Sequence, residues 1–287
     1  MNTLTNEKRC AVIRCLVDGC SIRATTRITG VAKNTIQKLT RELAEAVTQY
    51  QDNVLRNLKC RRIQCDEVWC FCYAKAKNVP ESMRGMPGVG SIWTWTAIDA
   101  DTKLMVSWRH GARDAANAHA FMRDVQERLT NRVQLTTDGN AVYLDAVLDY
   151  FAEIDFAMLQ KLYGPGEAGP EARYSPAKCN GTKKKVILGN PDPDHISTSY
   201  MERQNLNIRM QNRRFTRLTN AFSKSDEMLA CSFAITCMYH NFVRIHQTLK
   251  TTPAMKAGAT DHLWSIEEMV DLLPEVPCQP KRKKSSN

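Results

Sequence analysis

Three acidic residues of this 287-residue chain stand where chemistry can use them. Asp66 lies in an alternating stretch, Ile63-Gln64-Cys65-Asp66, whose period of two predicts a strand. Asp138 follows a second such stretch, Val133–Thr137, and precedes Gly139. Glu202 falls in the first turns of a helical segment that begins near Ser197. If the first and fourth strands are neighbours in one sheet, the two Asp side chains converge, and a helix packed alongside adds the Glu. Such an oxygen-only, acidic site suits Mg²⁺ or Mn²⁺ rather than zinc. Two ions roughly 3.5–4 Å apart can clamp the attacking and leaving oxygens of an in-line phosphoryl displacement. Thirty acidic residues offer many such trios, so these three types alone decide nothing. Glu67 is not an expected substitute for Asp66, because adjacent strand residues point to opposite faces. Asp99 and Asp101 flank a hairpin, where Asp serves the turn. No Ser-His-Asp or Cys-His pairing offers a protein nucleophile instead.

The elements that must position these groups follow from the hydrophobic period. Strands are expected over Arg62–Val68, Ile92–Asp99 and Leu104–Arg109, the last two joined by the short turn Ala100–Lys103. A helix from about Asp114 to Thr130 comes next, then a strand Arg132–Thr137, a helix Ala141–Phe151 and a strand near Phe156–Leu162. Hairpin-type strands followed by alternating helix and strand make an α/β fold with a mixed sheet. Residues 163–195 carry five prolines and two charged clusters, and read as a long loop excursion from the core. Helix returns from Ser197 past Arg209, over Asp226–Thr248, and briefly around Ile266–Leu273. Tyr239, His240, Asn241, Arg244 and His246 read as a buried polar cluster that docks this last part of the chain.

Charge separates the chain further. The net formal charge is +10, but residues 1–62 hold 12 Lys/Arg against 5 Asp/Glu and the tail 281–287 holds four basic residues and no acid, while the middle is balanced. A polyanionic partner is expected. Three helices are predicted in the basic N-terminal part: Glu7–Asp18, Ser21–Thr29 with Gly30 at a tight turn, and Lys33–Tyr50. The third keeps Ile36, Leu39, Leu43 and Val47 on one face and gathers Lys33, Asn34, Thr35, Gln37, Lys38 and Arg41 at its start or on the other. Three helices with a Gly-containing turn and a polar, basic last helix resemble a helix-turn-helix DNA reader, whose Asn and Gln pair with adenine edges and whose Arg and Lys meet guanine or phosphate.

Other classes recede. No apolar run reaches the roughly 18 residues of a membrane span, and Met1–Arg9 is polar, so neither export nor a membrane partner is expected. Eleven cysteines form an odd set with no CxxC pair. Cys10, Cys15 and Cys20 recur at five-residue steps, which turn a helix by about 500° and point neighbouring thiols apart. Reduced thiols are expected, not a zinc site or a disulfide frame.

Asp66, Asp138 and Glu202, with Asn205 three and Arg209 seven residues beyond the Glu, resemble the DDE transposase and retroviral integrase superfamily. The runs QCDEVW, LTTDGN, HISTSYMERQNLNIRMQNRRFTRLTNAFSK and YHNFVRIHQTLKTTPAM look most like bacterial insertion-sequence transposases of the insertion-sequence-one family, over about residues 20–265. The resemblance implies an RNase H-like core in which Asp66, Asp138 and Glu202 are catalytic and hold two Mg²⁺ or Mn²⁺ ions. It also implies cutting at the ends of a mobile element, leaving 3′-hydroxyls that attack target DNA with no covalent enzyme intermediate. Double-stranded DNA is the expected partner, as terminal inverted repeats and as target, bound by a homodimer or higher oligomer in a bacterial cytoplasm, at the nucleoid. Asn205, Arg209 and Arg213, with Arg203, Arg214 and Arg217, are expected to hold DNA near the metals. The chain then divides into a helix-turn-helix domain 1–52, a catalytic domain 58–222 containing the 163–195 insertion, a C-terminal helical extension 223–273 and a basic tail 274–287. Some members of that family carry a zinc finger before the helix-turn-helix, and this chain has none of its CxxC pairs. A non-catalytic domesticated DNA-binding protein and an RNase H-fold nuclease that never joins strands are the rival readings.

Overall fold

The computed structural model describes residues 4–164 and 179–274. Its centre is a six-stranded mixed sheet built from β1 (Arg62–Cys72), β2 (Gly90–Asp99), β3 (Met105–Gly111), β4 (Gln134–Asp138), β5 (Asp155–Tyr163) and β6 (Cys179–Leu188), in the order β3-β2-β1-β4-β5-β6. β1, β2 and β3 form an antiparallel meander, β4 runs parallel to β1 and to β5, and β6 returns antiparallel along β5. The two parallel pairings require crossovers, supplied by α4 (Ala115–Arg128) and α5 (Val142–Tyr150). Asp99 serves the β2–β3 turn as expected, since its carboxylate accepts hydrogen bonds from the Thr102 N–H and hydroxyl.

Strand alternation sends each face of the sheet to a different helical layer. Ile63, Cys65, Trp95 and Ala97 pack with Phe121 of α4 and Tyr143 of α5. From the opposite face, Val68, Cys70 and Ile92 meet Ile208 of α6 (Ser199–Gln211) and Leu229 and Phe233 of α7 (Asp226–Met238). Each fully buried side chain of this kind contributes about 1.5–3 kcal/mol.

Three N-terminal helices, α1 (Asn6–Val17), α2 (Ile22–Thr29) and α3 (Lys33–Val54), precede the sheet. The Ser21 hydroxyl caps α2 by accepting from the Ala24 N–H at 3.1 Å, and Gly30 ends it at φ 72°, the positive-φ turn expected of it. Ile36, Leu39, Leu43 and Val47 of α3 are buried, and α3 lies along α7. The same continuous core takes in Val12 and Ile13 of α1 and Met269 and Val270 of α9 (Ile266–Asp271), which follows the short α8 (Pro253–Lys256).

Two expectations need correction. Within 163–195, Cys179–Leu188 is an edge strand and not loop; residues 165–178 lie outside the described part. The helix expected to reach Thr248 ends earlier: α7 stops at Met238, passes through a π turn at Tyr239–Val243, and the chain then bends back through a bridge between His246 and Thr251. That turn places Asn241 on the edge of β3. Its side-chain oxygen accepts from the Met105 N–H at 2.9 Å and its amide donates to the Met105 carbonyl at 3.0 Å, so one side chain completes the backbone pairing that a further strand would have made. His240 bonds the Lys103 carbonyl beside it. The Lys281–Lys284 cluster lies outside the described residues.

Candidate functional site

A gap in the sheet creates the site. β1 and β4 pair over only three positions, Arg62 with Gln134 through Gln64 with Thr136. Beyond Gln64 the β1 flank that faces β4 is open, and the residues there can reach across it.

Asp66 points to the α6 side, like Gln64 two residues before it. The Gln64 side-chain oxygen accepts from the N–H groups of Tyr200 and Met201 at 2.9 and 3.2 Å, which pins the first turn of α6 to β1. One turn later Asn205 donates its amide to Asp66 Oδ2 at 2.7 Å, while the Glu67 N–H donates to Asp66 Oδ1 at 2.8 Å. Asp138 ends β4, where its Oδ1 accepts from the Asn140 N–H at 3.0 Å and so shapes the turn at Gly139.

Glu67 corrects the sequence reading. Its side chain does leave β1 on the α5 side, as alternation demands, and is 1% exposed. Its carboxylate nevertheless turns into the gap, and Asp66, Glu67 and Asp138 each bring a ligand-capable oxygen within 4.8 Å of the others. Alternation fixes the face of a residue but does not keep opposite faces apart where the neighbouring strand has ended. Arg113, in the loop before α4, stands over both, its Nη2 3.0 Å from Glu67 Oε2 and from Asp138 Oδ2. The buried Tyr143 hydroxyl lies beside Glu67, outside hydrogen-bond geometry.

Glu202 reaches the same cleft from α6 and stands outside this closest trio. Its Oε1 accepts from the Thr198 hydroxyl at 2.7 Å, and its Oε2 lies 2.5 Å from Nζ of Lys161 on β5. The cleft encloses about 400 Å³ and is lined by Asp66, Arg113, Asp138, Lys161 and Glu202, among others. Burial, reinforced by the charge of Asp138 and opposed by the Glu67 N–H, pushes the Asp66 carboxyl up to about 7. Burial and Asp138 also raise Glu67, against the pull of Arg113. Carboxylates crowded until they resist ionisation fit a hard divalent cation, because the ion would replace mutual repulsion by attraction, and the donors are all oxygen.

The remaining expected site residues fall elsewhere. Arg209 turns away from the cleft and donates from Nη1 to the carbonyls of Trp69 and Phe215, both at 3.2 Å. Arg213 is exposed just after α6. On α3, Lys33, Asn34, Lys38 and Arg41 are exposed and Thr35 and Gln37 half-buried. Lys38 sits 3.6 Å from Glu42, and Arg41 Nε bonds Glu227 of α7 at 2.7 Å. Lys33 and Gln37 line a separate groove together with Arg213. Glu67 was weighed and set aside on strand alternation alone, whereas Arg113 and Lys161 were missed because nothing in the sequence marked the two cations.

No protein-family model and no curated protein matches the sequence. Among solved structures the chain is similar to a piggyBac transposase synaptic complex with hairpin DNA, determined by cryo-EM. The identity is 10% and the TM-score 0.39, over 95% of this chain and 72% of that one. A likeness this distant carries no weight for either fold or function. Among the described residues, no helix is long and apolar enough to cross a membrane.

Proposed function

We propose that the chain is a DNA transposase of the Asp-Asp-Glu type, resembling the insertion-sequence-one family, which cuts the ends of a mobile element and joins them to target DNA. One observation carries the reading: Asp66 and Asp138 from adjacent parallel strands and Glu202 from the helix packed on them line one acidic cleft whose donors are all oxygen. Asp66, Asp138 and Glu202 would hold the divalent ions, with Glu67 within reach of the first two. When bound, two Mg²⁺ or Mn²⁺ ions supply Lewis acidity, favouring attack by water and then by a DNA 3′-hydroxyl at phosphorus.

The chain's own groups prepare that chemistry. Asn205 and the Glu67 N–H fix both Asp66 oxygens, which sets the direction in which its free lone pairs point. Thr198 holds one Glu202 oxygen. Arg113 and Lys161 lie against the carboxylates and offer positive charge to the phosphate oxygens of a bound strand. Phosphoryl transfer of this type needs no protein nucleophile, so positioning and charge carry the catalysis. Helices α1–α3 are the proposed helix-turn-helix reader of the terminal repeats, residues from α7 onward the helical extension, and the working state a dimer or larger assembly at the nucleoid, because two ends must meet.

Strand cleavage and joining on DNA taken from the gene's own flanks, with Mg²⁺ or Mn²⁺, tests the proposal. Nicked and joined products from wild type and neither from Glu202→Gln support it. Nicking without joining points to a nuclease, and specific binding with neither product to a domesticated DNA-binding protein.

A further inference from the structure

A second concavity lies apart from the acidic cleft and has opposite electrostatics. It is bounded on one side by α2 and the start of α3, on the other by the segment that joins α6 to α7, and encloses about 790 Å³. Five cations line it, Arg23, Lys33, Arg213, Arg214 and Lys224, and no carboxylate does. None of the five makes an ion pair with any described residue; Asp226 and Glu227 follow directly but do not line the groove, and Glu227 is held by Arg41. Arg214 is part-buried, with only the Ser223 hydroxyl on its guanidinium at 2.8 Å. Taking a guanidinium partly out of water without a carboxylate is costly, and an anion supplied from outside offsets that cost.

The floor differs from the rim. Leu16, Ile22, Ala221 and Phe222 give it an apolar surface over the buried Met228 and Ile235, and Lys224 Nζ lies over the Phe222 ring, 3.3 Å from its centroid. Cations around an apolar, aromatic floor match the two halves of a nucleotide, a phosphate and a base with a π face. The volume lies within the roughly 300–1,000 Å³ of sites that engulf one small-molecule-sized group, whereas a duplex is too wide to enter.

We propose that this groove binds an unpaired nucleotide of a DNA strand, with its phosphates against Arg213, Arg214 and Lys224 and its base on the apolar floor. Lys33 and Gln37 at the start of α3 border this groove beside Arg213, so it adjoins the proposed duplex reader. The choice of DNA as the polyanion rests on the function proposed above.

The test is fluorescence anisotropy on the full chain in EDTA, with a labelled twelve-nucleotide oligothymidine, an abasic strand of equal length and a twelve-base-pair duplex. Because Lys224 is exposed and lies outside α1–α3, Lys224→Glu is expected to keep the wild-type melting temperature and leave duplex reading by those helices in place; Lys224→Ala serves as a milder second variant. Lys224→Glu should lose about tenfold or more in affinity for oligothymidine and less than about threefold for the duplex, and the abasic strand should bind wild type about tenfold more weakly than oligothymidine does. Lys224→Ala should show the same selectivity at smaller size. Equal losses for both DNA forms, equal affinity for the abasic strand, no loss in either variant, or displacement by poly-glutamate as effective as by oligothymidine each overturn the proposal. Without a divalent ion no cleavage is read, so failure here leaves the catalytic reading standing, and failure of cleavage leaves the groove standing.

Discussion

Replacing Asp66 by Asn should move the stability of the metal-free protein increasingly in the variant's favour as pH rises. In the folded chain the Asp66 carboxyl is pushed from 3.8 to about 7, first by burial and then by the Asp138 charge. Holding it ionised in the fold therefore costs about 4 kcal/mol above pH 7. The sign follows from proton counts. Between about pH 4 and pH 7 the folded state binds the proton and the unfolded chain does not, so stability falls as pH rises through that window and levels off above it. Asn carries no such cost. It does lose one acceptor: Asn205 and the Glu67 N–H both donate to Asp66, and Asn offers a single oxygen, so one donor is left facing an amide at about 1–3 kcal/mol. This mismatch is the same at every pH. The difference in stability between Asp66→Asn and wild type should thus move in the variant's favour by about 2–3 kcal/mol between about pH 5 and about pH 8. Urea unfolding in EDTA at the two pH values measures it, and a difference that stays constant within about 0.5 kcal/mol refutes the buried, charge-crowded Asp66 on which the site rests.

Other substitutions separate chemistry from scaffold. Glu202→Gln should keep the fold and DNA binding and abolish cleavage, read by thermal melting, gel shift and nicking on the same preparation. Asn241→Ala should cost about 2–3 kcal/mol in urea unfolding, because the buried Met105 N–H and carbonyl both lose their partner. Arg209→Ala should lower stability by about 1–3 kcal/mol, since its guanidinium ties the carbonyls of Trp69 and Phe215; unchanged stability with weakened DNA binding would instead favour a direct contact. Trp95→Ala should cost about 3–5 kcal/mol by leaving a cavity between the sheet and Phe121 and Tyr143.

Much of the fold was legible where one face of an element meets water and the other the core. The period-two stretches around Asp66 and before Asp138 gave their strands, and the Ser21 cap and Gly30 turn bounded α2 as their chemistry demands. β6 was hidden because an edge strand exposed on both faces leaves no alternation, and Cys179–Leu188 is exposed or half-buried throughout. The π turn at Tyr239–Val243 was hidden because its apolar pattern continues that of α7. Around the cleft, what was legible is placement: Asp66 within a strand, Asp138 at the end of another and Glu202 in the first turn of a helix. Glu67 was not, because its entry depends on how early β1 and β4 part, a property of pairing and not of local sequence. Arg113 and Lys161 are long cations on other segments, and only the folded chain brings them to the carboxylates.

The most direct test of the acidic cleft is Mn²⁺ binding to the DNA-free protein near pH 8, followed by electron paramagnetic resonance for wild type, Asp138→Asn, Glu202→Gln and Glu67→Gln. Wild type should take up Mn²⁺, Asp138→Asn should bind at least about tenfold more weakly through loss of a carboxylate shared by the whole cluster, and Glu202→Gln should lose the second ion. Equal Mn²⁺ uptake by wild type and Asp138→Asn, or no uptake by wild type, would contradict the assignment of this cleft as a two-metal phosphoryl-transfer site.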